Sequence, residues 1–296
     1  MRQWIEADWP GGMVNSGLIL PNDANRRSRV CAVSYLNTAP LVWGALHGPQ
    51  KGLMDLTFAV PSICADRVVD GDADIGLMPV IEMDRNGLDW VRGVGIACRG
   101  PVRSILLVSN KPFEEIETLA TDSGSRTSVQ LARIILGQRY GAHPALVSRE
   151  PDLVNMLDEA DAALLIGDAA LRVEPGDVDL PCLDLGEEWV EMTGLPMVFA
   201  VWAGRQENIH PEISKLLVDS CHYGLGALDA IIKEESERRG FPEYLVQQYL
   251  TRHIAVQLGQ EEEAGLRHYL KLARELPPAI LALPETTTHD DAARSR

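Results

Sequence analysis

The chain has 296 residues, 46% of them apolar, and its 43 acidic against 27 basic side chains leave a net charge of −16. That length exceeds the usual size of one compact core, so two α/β lobes are expected. The negative field argues against nucleic acid and anionic membrane surfaces as partners, and it leaves a small anionic ligand dependent on local donors.

Residues 1–28 lack a basic start followed by an uninterrupted apolar run, and no later segment approaches the ~18 apolar residues of a membrane span. The expectation is a flexible extension on an unexported, cytoplasmic protein. From Arg29 the pattern becomes regular. RVCAVSYL predicts a strand, NTAPLVWGAL a turn into a helix, DLTFAVP a strand, and PSICADRVVDG a helix closed by Gly71. DADIGLMPV, VRGVGIACRG and VRSILLVSN predict three further strands, with apolar runs that suit a sheet covered on both faces. TLATDSG, ALVSR and DAALLIGDAAL predict strands of a second lobe, separated by helices at SRTSVQLARIILGQRYG and PDLVNMLDEA. The strand PMVFAVWAGR leads into a long helical region, and the chain is expected to end in helices without new strands.

This order predicts a two-lobed α/β fold with a central cleft. Residues 29–112 and 203–284 form one discontinuous lobe and 113–202 the other, with crossovers near Ser109–Glu117 and Ala200–Arg205. Residues 285–296 read as a disordered polar tail. Cys31, Cys64, Cys98, Cys182 and Cys221 are scattered without Cys-x-x-Cys spacing, as reduced core thiols are.

Four segments hold candidate site residues. SYLNTAP puts Ser34, Tyr35, Asn37 and Thr38 at the end of a strand, where helix capping by Asn37 or Thr38 competes with ligand binding. RGPVRSILL offers Arg99 and Arg103 for a carboxylate, against ion pairing with the many acidic residues, and Ser104 as a hydroxyl interrupting an apolar strand. SGSRTSVQLARII sets Ser125, Thr127 and Ser128 at the start of an amphipathic helix, an anion seat or a plain cap. In LLIGDAAL, Asp168 follows a buried strand and either caps the next turn or faces a ligand, and Glu82 is a weaker case of the same kind. Templates for metal, nucleophile and nucleotide sites are absent. The residues alone lead to a two-lobed binder of small anions, enzyme or not.

SYLNTAP, VPS, DADIGLMPVIE, RGPVRSILLVS, SGSRTSVQLARIIL and ADAALLIGDAAL, in this order, resemble the chorismate dehydratases, over about residues 29–275. The resemblance implies a periplasmic-binding-protein-like (type II) fold and conversion of chorismate to 3-[(1-carboxyvinyl)oxy]benzoate and water on the futalosine route to menaquinone. It implies no metal and no cofactor, and a small-molecule partner, chorismate, with no nucleic acid and no membrane; a homodimer is left open. Asn37 and Ser104 would serve catalysis, and Ser34, Tyr35, Thr38, Arg103, Ser125, Thr127 and Ser128 would bind substrate. The family's proton acceptor would be the substrate's own side-chain carboxylate, with Asp168 as the protein alternative. Met83 departs from the family, which commonly has an aromatic there, and so does the 28-residue extension. The Ser-Pro-Cys-Pro-Asn-Asp motif of the related dihydroxynaphthoate synthases is missing. The alternative from another class is a solute-binding protein that captures a small carboxylate without catalysis.

Overall fold

The structure, a computed structural model, describes residues 26–122, 124, 126–174, 176 and 179–281. The expected extension up to Asn25, the tail at 285–296 and Ser125 lie outside the described residues. Two sheets divide the chain. The first contains β1 (Arg29–Val33), β2 (Asp55–Ala59), β3 (Ile75–Pro79) and β4 (Asp89–Cys98). The second takes β5 (Ile105–Ser109), β6 (Thr118–Thr121), β7 (Ala145–Ser148), β8 (Ala162–Ile166) and β9 (Cys182–Asp184). The chain then returns to the first sheet through β10 (Met197–Gly204) and, much later, β11 (Ala255–Gln257). The orders are β11-β4-β10-β3-β1-β2 and β7-β6-β8-β5-β9. β1 runs parallel to β2 and β3, and β6 to β7 and β8, whereas β10 is antiparallel to both β3 and β4. β3, β5 and β8 are buried at every residue, as continuous apolar runs between covering helices require.

Two lobes and a cleft are therefore as expected, but the crossovers are not where strand order alone put them. β5, assigned above to the first lobe, pairs with β8 and β9, so the chain changes sheet over Arg99–Ser104. β10, assigned mostly to the second lobe, lies between β3 and β4 of the first, so the return falls at Gly194–Pro196. Two successive buried strands read alike whether the turn between them makes a hairpin or a passage between sheets. Here the passage is pinned by Asp184, whose carboxylate accepts the Val102 and Arg103 N–H groups at 2.9 and 2.6 Å. The same carboxylate caps α7 (Leu185–Thr193), the seventh α-helix among the described residues, through Gly186 and Glu187. The strands β9 and β11 are additions, each only three residues long.

The helices before α7 are α1 (Ala39–His47), α2 (Pro61–Val69), α3 (Val80–Arg85), α4 (Arg126–Ile135), α5 (Leu153–Glu159) and α6 (Gly167–Leu171). After β10 come α8 (Pro211–Leu225), α9 (Leu228–Arg239), α10 (Glu243–Gln248) and, past β11, α11 (Gln260–Glu275). The expected long helix after β10 is thus broken into α8 and α9 around Gly226 and Ala227. A π-helical turn, Tyr249–His253, extends α10. All five cysteines are free, as expected.

α1 packs on α8 at a distance only small residues allow. Ser220 of α8 donates to the Leu41 carbonyl and accepts from the Ala45 N–H, and a Cβ at Gly224 would overlap the Pro40 carbonyl oxygen. This seam holds the turn that carries Asn37. Gly224→Ala should force the helices apart, lowering stability by about 1–3 kcal/mol in urea denaturation; an unchanged midpoint would mean that the seam is looser than described.

Candidate active site

The cleft between the sheets holds a cavity of about 560 Å³, counted to its open mouth, within the size range of small-molecule sites. It lies at the C-terminal ends of β1 and β8, the edge at which open α/β sheets bind ligands. Most of the wall is apolar, with Val33, Leu77, Ile96, Ile105, Ile166 and Phe199 among its residues. The polar groups on it are Asn37 and Tyr35 from the turn after β1, Ser104 at the first crossover, and Arg126, Thr127 and Ser128 from the first turn of α4.

The two polar regions differ in how they are held. On the α4 side, the N–H groups of a first helical turn have no partner within the helix, so the turn attracts anions. Thr127 is 4% exposed and its Oγ1 is buried without a protein partner, so it is available to a bound molecule. The Tyr269 hydroxyl fixes the same turn by donating to the Thr127 carbonyl at 3.0 Å. Arg126 reaches across the cleft to Asp66 of α2 and Glu82 of α3, at 3.1 Å from each. It therefore joins the lobes as well as lining the cavity.

On the other side, Asn37 Nδ2 donates to the Tyr249 hydroxyl at 3.2 Å, and that hydroxyl donates to Ser104 Oγ at 2.8 Å. Tyr249 and Ser104 are 1% and 2% exposed. Burial, helped by the Asp168 charge, pushes the Tyr249 phenol well up against the opposing effects of its hydrogen bonds and of Arg239, so it remains protonated. The ring of Tyr35 lies against Gly167, where a Cβ would come within 2.9 Å of it; Gly167 also has φ +59, so glycine is required there twice over. Burial, then Asp122 and Asp168, push the Tyr35 phenol up too.

Asn37, Tyr35, Ser104, Thr127 and Ser128 therefore meet at one cavity. Six other expected site residues do not. Arg103 turns away: its backbone is left-handed at φ 63, and its guanidinium donates to the Ala170 carbonyl and to Glu174. Asp168 accepts the Leu36 N–H at 3.1 Å and pairs with Arg239, beside the cavity rather than on its wall. Ser34 contributes its carbonyl to Arg239, and Thr38 is fully buried beside Asn37. Glu82 is bound between Arg85 and Arg126, and Arg99 pairs with Glu262 outside the cleft. Arg126 and Tyr249 are the residues that sequence reasoning missed. Arg126 carried a signal, being the first helical residue after the glycine turn.

Architecture of this kind is found in proteins of the periplasmic-binding-protein fold. The Escherichia coli periplasmic aliphatic sulphonate-binding protein SsuA superposes with TM-score 0.59 at 16% identity, over 84% of this chain and 87% of its own. The Archaeoglobus fulgidus protein AF1704 does so with TM-score 0.67 at 15% identity, over 86% and 98%. Within that class the chain belongs to the menaquinone biosynthesis family, whose sequence profile matches residues 28–275. It is similar to the chorismate dehydratase of Thermus thermophilus, with 28% identity over 271 residues, 85% of this chain and 96% of that one.

The Arg239 side chain is 8% exposed and pairs with both Asp168 and Glu235. Arg239→Ala should cost about 3–5 kcal/mol in denaturant unfolding, because Asp168 loses its guanidinium. Removing the exposed i,i+4 pair of Lys215 and Asp219 by Lys215→Ala should cost under about 0.5 kcal/mol. Equal losses would deny the Arg239 cluster its structural role.

Proposed function

We propose that the protein is a chorismate dehydratase, a hydro-lyase that converts chorismate to 3-[(1-carboxyvinyl)oxy]benzoate and water on the futalosine route to menaquinone, in the cytoplasm. The observation that carries this reading is the presence of two separate donor regions in one apolar cavity. Chorismate has a carboxylate on its ring and another on its enolpyruvyl side chain, and needs two seats within one closable cleft. The α4 turn with Arg126, Thr127 and Ser128 suits one carboxylate. Asn37 and Ser104 face the reacting part of the ring.

The reaction removes the proton from the ring carbon that bears the ether. The electron pair is delocalised through the ring double bond towards the ring carboxylate, then returns to expel the neighbouring hydroxyl. Proton and hydroxide leave as one water, and the ring becomes aromatic. The protein supplies orientation and hydrogen bonds to the charge as it develops, which is where fixed donors contribute most. Among the described residues no carboxylate, histidine or lysine lines the cavity. This supports the substrate's own side-chain carboxylate as the proton acceptor, held over the ring by the enclosing walls. Asp168, occupied by Arg239 and the Leu36 N–H, acts as a positioning residue in this scheme.

Incubation of purified protein with chorismate, followed by chromatography with mass detection, should show enzyme-dependent formation of the dehydrated product. Unchanged chorismate that still binds in calorimetry would favour a solute-binding protein. Asn37→Ala and Ser104→Ala should each lower kcat by about 100-fold. Asp168→Asn keeps an acceptor for the Leu36 N–H, and kcat should fall by less than about tenfold; abolished turnover with intact chorismate affinity would make Asp168 the base.

A further inference from the structure

The core position of Tyr249 needs an explanation that packing does not provide. At 1% exposure its ring could be a phenylalanine, which would fill the same space without a hydroxyl to desolvate. A buried phenol needs partners, and those of Tyr249 are the two side chains that face the cavity from the crossover and from the turn after β1, Ser104 at 2.8 Å and Asn37 at 3.2 Å.

We propose that Tyr249 is a positioning residue that orients the donors of Asn37 and Ser104 towards the ligand. A phenol has a single hydrogen, and Tyr249 gives it to Ser104 Oγ. Ser104 is then an acceptor on its inner side, and its own hydrogen turns to the cavity. Asn37 gives one Nδ2 hydrogen to the phenol oxygen, which fixes the amide with nitrogen inward and leaves its second hydrogen for the cavity. One hydroxyl behind the wall thus makes two amphoteric side chains act as donors in the same direction, as an oxyanion requires. The π-helical turn beginning at Tyr249 presents the phenol at this point. Without it, Ser104 could rotate and Asn37 could flip, each offering a lone pair to developing negative charge, while the α4 seat for one ground-state carboxylate would remain.

This inference rests on the dehydratase reading, and wild-type turnover of chorismate tests that reading separately. With turnover established, Tyr249→Phe should reduce kcat at least tenfold with KM within twofold and chorismate affinity unchanged in calorimetry. The loss should be smaller when Ser104→Ala has already removed the acceptor, because only the share carried by Asn37 then remains and residues acting as a unit are not additive. A kcat equal to wild type, or the same tenfold loss in both backgrounds, would overturn the proposal, because a purely structural role multiplies independently of Ser104. If the phenylalanine variant fails to fold, 3-fluorotyrosine introduced at position 249 alone keeps the hydroxyl and makes it a stronger donor. In that case kcat should change severalfold at constant KM, and an unchanged kcat would count against the role.

Discussion

Beneath the polar wall of the cleft, Arg239 holds groups from three parts of the chain. Its guanidinium pairs with Glu235 on its own helix and with Asp168 at the start of α6, and donates to the Ser34 carbonyl at the end of β1. Asp168 in turn accepts the Leu36 N–H. The turn carrying Asn37 is thus held from below by a charge whose partner Asp168 lies on α6, just past the end of β8 in the second lobe. Removing that charge would leave carboxylates with little water to replace it. The path of the backbone at Asn37, and so its reach to Tyr249 and the cavity, depends on this arrangement.

The charge balance of the chain acquires a local meaning from the same groups. A protein with 16 excess negative charges is proposed to admit a dianion, and the lining guanidinium, Arg126, is already matched by Asp66 and Glu82. The donors left for the ligand are dipoles: amides and hydroxyls on the first turn of α4, an asparagine and a serine. Dipoles held by surrounding structure do not have to reorganise as charge moves from one part of the substrate to another. The apolar remainder of the wall strengthens them by excluding water.

Much of this was legible in the sequence, for identifiable reasons. Strands buried on both faces leave continuous apolar runs, so β1, β3, β5 and β8 were visible, and so were the polar interruptions that became Asn37, Ser104, Thr127 and Ser128. Arg103 and Asp168 carried the same kind of signal, but they face a crossover and an ion pair, a distinction made by backbone direction rather than residue type. Tyr249 had no signal at all. It shares one helical segment with Tyr244, which is 64% exposed, and only the three-dimensional path of α10 separates the two. Lobe membership was misread for β5 and β10 because pairing partners are not encoded in the strands themselves.

The position of β10 bears on how the molecule comes to exist. Among the described strands, β3 and β4 are joined only through β10, which begins 99 residues after the last residue of β4, from Cys98 to Met197. During synthesis the first sheet is therefore a divided object, its two halves facing a gap, until more than two-thirds of the chain has left the ribosome. The second sheet has its five strands complete by β9, all within residues 105–184, with a single bridge from Leu281 to Leu146 of β7 added later. It can form while the earlier strands wait, and their unfilled edges are the surfaces most at risk of pairing with another nascent chain in the interval.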